Sequence, residues 1–157
     1  RDSSTSRGLG DVYKRQAYGS NLNLKQMAYR CPSASIFGTG QLTNWELLYR
    51  GSATNSHATI AKKQGSYVPV LLWSIEPEDE KRLDIYEGYP RYYYKQNVMV
   101  DIDGKKKRAM VYIMNQQCVP GRPSSTYIET IRQGYIDNNF DLALFENSLD
   151  RNTIECR

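Results

Sequence analysis

Cysteine and histidine are scarce: Cys31, Cys118 and Cys156 are scattered through 157 residues without a CxxC pair, and His57 is the only histidine. This argues against a disulfide framework and against a metal site built on cysteine and histidine. There is no long uncharged apolar run, so neither a membrane span nor a membrane partner is expected. The opening stretch, "RDSSTSRGLGDVYKRQ", has no initiating methionine and no apolar secretory core, which makes the cytoplasm the expected compartment. It also has no periodic apolar face before Ala17, so Arg1 to Gln16 is expected to be disordered or foreign to the domain. The net charge is only +4, too small an excess to imply a nucleic-acid partner by itself. The densest basic run, "GKKKRAM" from Gly104 to Met110, lies between two apolar segments and reads as the solvated end of a hairpin.

What is present is enough for one packed domain, with 39% hydrophobic and 11% aromatic residues. "ASIFGTGQL" and "WELLYRG" read as two short strands interrupted by glycines. "HATIA" and "YVPVLLWSI" read as two more, on either side of a turn at Lys62 to Ser66, with Pro69 marking an edge or a bulge. "PEDEKRLDIYEG" has Pro77 in its first turn, acids at the positive end of the dipole and Gly88 just past the last turn, which predicts a helix. Tyr92 to Met114 predicts a hairpin turned at Asp103-Gly104. Thr126 and Glu129 fit a capping box ahead of a helix with Ile128, Ile131 and Tyr135 on one face. Phe140, Leu144 and Leu149 mark a last helix. The order predicts an α+β domain over residues 17–150, with a curved or closed sheet and a short tail over 151–157.

Two stretches draw attention as chemistry. In "AYGSNLNLKQMAYRCP", Gly19-Ser20-Asn21 can point several N–H groups at one place, and a helix from about Leu24, capped by Asn21 or Asn23 and stopped by Pro32, adds a positive dipole end. The same residues also suit an ordinary capped turn. In "LDIYEGYPRYYY", Glu87 falls at the carboxyl end of a predicted helix, where the dipole disfavours a carboxylate, among tyrosines 86, 89, 92, 93 and 94. A carboxyl group with a raised pKa suits proton transfer near neutrality. A solvated glutamate beside packing tyrosines is the plainer alternative.

"YGSNL" after a short strand, "YEGYP" after a helix and a later tyrosine-bearing helix together resemble the gamma-glutamylcyclotransferase-like superfamily, which includes AIG2-like proteins. The resemblance runs from about Ala17 to Leu149. It implies a small mixed β-barrel with flanking helices, and an enzyme that splits a gamma-glutamyl amide into 5-oxoproline and a free amine without a cofactor or a metal. On this resemblance Tyr18, Gly19, Ser20, Asn21 and Leu22 form the substrate loop and Glu87 is the catalytic acid and base. Tyr127 stands at the pocket mouth, and Tyr94 opens the strand after the glutamate. The implied partner is a small gamma-glutamyl amide rather than nucleic acid or membrane. A non-enzymatic AIG2-like binding module is the alternative. One departure stands out: "DVYKRQ" occupies the place of an apolar first strand. Arg50 to Ser66 carries no family-specific side chain that identifies the leaving amine.

Overall fold

A computed structural model describes residues 2–3, 5–6, 14–115 and 118–155. The rest of the N-terminal segment that was set apart in the sequence, and Cys156, lie outside the described residues. The strands are β1 (Asp2–Ser3), β2 (Thr5–Ser6), β3 (Lys14–Ala17), β4 (Ser35–Arg50), β5 (His57–Ser74), β6 (Tyr93–Ile102) and β7 (Lys105–Met114). The helices are α1 (Leu24–Arg30), α2 (Pro77–Glu87), α3 (Ser125–Asp137) and α4 (Leu142–Glu155), with a 3-10 turn at Ser20–Leu22. Thus β3 begins inside the segment set apart at the N-terminus, and α4 runs past Asp150.

Apart from the β1–β2 pair, the strands follow the order β3-β5-β4-β6-β7 around a closed circuit. Closure is thin, because β4 meets β6 through the single registered pair Gln41–Asp101, and β3 meets β7 through Arg15–Met110. The sheet is therefore a mixed, largely antiparallel sheet that curls into a loose barrel. Val68, Val70, Leu72, Val100 and Val111 fill it, each almost fully buried.

The four short strands expected in the first half are two long ones. Ladder shifts at Ile36/Gly38 and Thr43/Trp45 absorb the irregular sequence without ending β4. At the second shift β4 advances through Asn44 alone while β5 advances through residues 63–66, so the expected turn is a bulge within one strand. Pro69 sits beyond the reach of β3, which pairs with β5 only from Leu71 to Ser74, so the strand is an edge on that side.

The helices are set by local chemistry. Pro77 begins α2, and buried Asp79 accepts the Glu76 N–H at 3.1 Å and the Ser33 hydroxyl at 2.8 Å. Gly88 ends α2 at φ 69°, a left-handed position, and an added Cβ would meet the Tyr92 ring at 2.6 Å. The cap of α3 is Ser124, which accepts from the Tyr127 N–H at 3.2 Å, and not the expected Thr126 with Glu129. Thr126 lies inside the helix, and Glu129 pairs with Arg132 instead. The hairpin turns at Asp103 and Gly104 as expected, with the basic run forming its tip and the first residues of β7.

Arg15 occupies a buried position of β3 and is only 1% exposed. Its guanidinium stacks on the Tyr112 ring at 4.2 Å, yet none of its three nitrogens has a hydrogen-bond partner among the described residues. A buried cation without hydrogen bonds costs more than an apolar side chain of similar volume. Arg15→Leu is expected to raise the thermal midpoint by several degrees, corresponding to about 1–4 kcal/mol for replacing buried charge by apolar packing. The comparison is made by calorimetry at pH 5. A lowered midpoint would show that Arg15 stabilises the strand.

Candidate active site

The 3-10 turn that follows β3 is fastened from several sides. Asn138 Nδ2 donates to the Leu22 carbonyl at 2.9 Å, Asn23 Nδ2 to the Thr130 carbonyl at 3.0 Å, and Trp73 Nε1 to the Asn21 carbonyl at 3.1 Å. Within the turn, the N–H groups of Leu22 and Asn23 close onto the carbonyls of Gly19 and Ser20. Gly19, Ser20 and Asn21 form its open end, where first N–H groups have no partner inside the turn. The start of α1 is not open in this way. Asn23 Oδ1 accepts from the Gln26 N–H at 2.9 Å, and Asp137 Oδ2 from the Leu24 N–H at 3.1 Å, so the expected contribution of this helix end to an anion site is already taken up.

Beside the turn is a cavity of about 590 Å³. Tyr18, Gly19, Ser20 and Asn21 line it from one side, Tyr86 and Glu87 from the end of α2, and Tyr127 from the first turn of α3. Segments more than 60 residues apart in the chain therefore face one space. Their separation is small at the Gly19 Cα: a Cβ built there would lie 3.1 Å from the Ala58 Cβ and 3.4 Å from the Tyr127 hydroxyl.

Two of the expected residues stand elsewhere. Leu22 is fully buried in the core and does not line the cavity. Tyr94 is 37% exposed and does not line it either, whereas Tyr93 does. The reason is strand parity: β6 opens at Tyr93, which pairs with the cavity-lining Met114, and the next side chain points to the opposite face. The Tyr93 hydroxyl donates to the Ala58 carbonyl at 2.7 Å, and the Tyr127 hydroxyl accepts from the Ala58 N–H at 3.0 Å. These two tyrosines lock one residue of the wall, and Tyr127 keeps its own proton free to donate.

Sequence reasoning gave no site role to His57, Tyr86 or Arg30. His57 stands at the rim with its ring edge against Tyr127, centroids 4.8 Å apart. Arg30 reaches from the last turn of α1 to Ser20, Asn21 and Tyr86. The only sequence signal for it was a basic residue at a helix end, which is an ordinary capping preference.

Glu87 is the last residue of α2, and its half-buried side chain faces the cavity. No described residue donates a hydrogen bond to its carboxylate. Burial pushes its pKa up to about 7, with the cations of Arg15 and Arg30 pulling partly the other way. The neighbouring hydroxyls of Tyr18, Tyr93 and Tyr127 are themselves raised, chiefly by burial. The cavity thus holds a carboxyl group raised toward neutrality, beside neutral tyrosines and the Gly19–Asn21 turn.

Known proteins share this sequence pattern and fold. The human protein named Gamma-glutamylcyclotransferase is 28% identical over 139 residues, covering 80% of this chain and 71% of its own. A solved structure titled Gamma-glutamyl cyclotransferase superposes with a TM-score of 0.79 at 26% identity, covering 88% of this chain and 86% of that one. YkqA from Bacillus subtilis shares the fold at 18% identity, with a TM-score of 0.72 over 88% of this chain and 52% of its own. The family described as "Gamma-glutamyl cyclotransferase, AIG2-like" matches residues 16–131, most of the described domain. The chain belongs to the gamma-glutamyl cyclotransferase, AIG2-like family.

Proposed function

We propose that this protein is a gamma-glutamyl cyclotransferase that converts a gamma-glutamyl amide into 5-oxoproline and a free amine. One observation carries the proposal: Glu87, whose carboxyl pKa burial pushes up to about 7, lines the same cavity as the Gly19–Asn21 turn. The gamma-glutamyl carbonyl sits at the turn, which stabilises the oxyanion as it forms. Ionised Glu87 takes a proton from the substrate's α-ammonium. The freed nitrogen attacks the side-chain carbonyl carbon, closing a five-membered ring. Collapse of the tetrahedral intermediate breaks the bond to the leaving nitrogen, to which Glu87 returns the proton; the carboxylate so freed takes the second proton from the ring nitrogen, leaving the neutral lactam, and passes it to the departing amine. The substrate supplies its own nucleophile, so the protein contributes pose, proton transfer and charge stabilisation. Tyr127 donates into the same space, and Tyr18 and Tyr93 shape its wall.

Replacing Glu87 by Gln removes the base with little change of volume, and turnover is expected to fall by about 10²-fold or more. The same variant has a stability signature. A carboxyl whose folded pKa lies above its unfolded value contributes most at low pH, and that contribution is lost as pH rises through about 7. At pH 4, below the unfolded value as well, the side chain is largely neutral in both the folded and unfolded states of both proteins, which should melt alike. At pH 8 only the native protein buries a charge, so Glu87→Gln should be more stable, by about 2–3 kcal/mol at most. Paired thermal melts and turnover assays check both effects. Unchanged turnover in the folded variant would reject the role of Glu87.

The reaction type is tested with a matched pair of substrates, a gamma-glutamyl amide and its N-acetyl form. Cyclisation needs the free amine, so mass spectrometry is expected to detect 5-oxoproline from the first and no product from the second, above a protein-free control. Release of glutamate or N-acetylglutamate would indicate hydrolysis. Absence of any product across varied leaving amines would favour an AIG2-like binding module.

A further inference from the structure

Arg30 is an unusually committed side chain for the last turn of a seven-residue helix. One guanidinium nitrogen donates to Ser20 Oγ at 3.2 Å and to Asn21 Oδ1 at 2.6 Å. The other donates to the Tyr86 hydroxyl at 2.5 Å and to Gln26 Oε1 at 3.2 Å, while the guanidinium plane lies 3.8 Å from the Tyr86 ring centre. Tyr86 immediately precedes Glu87, and Ser20 and Asn21 belong to the turn with open N–H groups. Among the described residues, this planar fork and a long Ser20–Tyr86 hydroxyl contact at 3.5 Å tie the two sides of the cavity at this edge.

We propose that Arg30 is the positioning residue of the site, a strap that fixes the Gly19–Asn21 turn at a set distance from the end of α2 that carries Glu87. The assignment rests on the cyclotransferase reading for its effect on rate, but the strap itself is a property of the fold. An arginine suits it because two nitrogens of a rigid plane serve two different elements at once, which an ammonium on a flexible stem does not reproduce. The same cation also acts on the carboxyl electrostatically. The charged and titratable groups around Glu87 include Arg15 from β3, Arg30 from α1, Tyr18 after β3, Tyr93 from β6, Tyr112 from β7 and Tyr127 from α3, with His57 at the rim and Tyr86, Tyr92 and Cys118 also lining the cavity. Burial keeps Tyr18, Tyr93, Tyr112 and Tyr127 neutral throughout the pH range in which the carboxyl titrates, so Arg15 and Arg30 are the cations that favour its ionised form.

The test separates geometry from charge with three variants and two readouts. The Glu87 carboxyl is followed by ¹³C NMR titration, which needs no turnover, and kcat/KM for 5-oxoproline release is measured against pH. Arg30→Gln removes the charge and is expected to move the carboxyl midpoint upward by about half a unit or more. The acid limb of the rate profile should move with it, toward higher pH, and kcat/KM should fall by about 10- to 100-fold through lost positioning. Arg30→Lys keeps the charge, so its midpoint should stay near that of the native protein while kcat/KM stays low. Tyr86→Phe removes one anchor of the strap and leaves the cation, so it should lower kcat/KM several-fold with the midpoint unchanged. It also provides the test if Arg30→Gln does not fold. An unmoved midpoint in Arg30→Gln, full recovery of rate in Arg30→Lys, or native rate in Tyr86→Phe would each overturn the proposal. A native protein that releases no 5-oxoproline would instead defeat the cyclotransferase reading, and the NMR midpoints would still judge the effect of Arg30.

Discussion

The proposed chemistry depends on a carboxyl group that is partly withdrawn from water and receives no hydrogen bond from any described residue. A carboxylate placed where donors converge on it stays a weak base, and one left in bulk water titrates far below neutrality. Glu87 avoids both conditions. It closes a helix whose dipole opposes its charge, it faces a cavity walled by tyrosines, and the cations of Arg15 and Arg30 restrain the rise of its proton affinity to about 7. The cost of holding it there is borne by the rest of the fold.

That fold delivers the second half of the site by a different route. The Gly19–Asn21 turn leaves a four-residue strand and would be mobile if that strand alone held it. Instead Asn138, Asn23 and Trp73 fasten its carbonyls and side chains to α3 and β5, which holds the turn in place. Tyr93 and Tyr127 then clamp Ala58 by its carbonyl and its N–H, which gives the turn a rigid surface to lie against. The loose closure of the barrel fits this division of labour, since the site draws its order from the helices and from side-chain hydrogen bonds more than from the two thin seams.

Much of this was legible because the relevant signals are local. Pro77 with Gly88 brackets α2, Asp103-Gly104 sets the hairpin, and the order of "YGSNL" and "YEGYP" marks both halves of the cavity. Other features were not legible because they depend on parity or on distant partners. Whether Tyr93 or Tyr94 faces inward turns on the residue at which β6 begins, and a shift of one reverses every side chain. The continuity of β4 and β5 rests on bulges whose partners lie across the sheet, so glycines and a lysine-rich stretch read as breaks. Asp137 reaching the start of α1 across 113 residues, and Arg30 reaching Tyr86 across 56, leave no periodic trace in the chain. Arg15 is the converse case, because a strand with no apolar pattern was expected to lie outside the domain and yet its arginine is buried within it.

The proposed reaction requires one gamma-glutamyl group to span the gap between the turn and the glutamate. It is tested most directly by a crystal structure of the Glu87→Gln protein with a gamma-glutamyl amide bound. The account requires the side-chain carbonyl oxygen within hydrogen-bond reach of the N–H groups of Gly19 to Asn21, and the α-nitrogen folded back toward residue 87 and the carbonyl carbon. A ligand bound with its α-nitrogen turned away from residue 87, or seated outside the cavity, would contradict it.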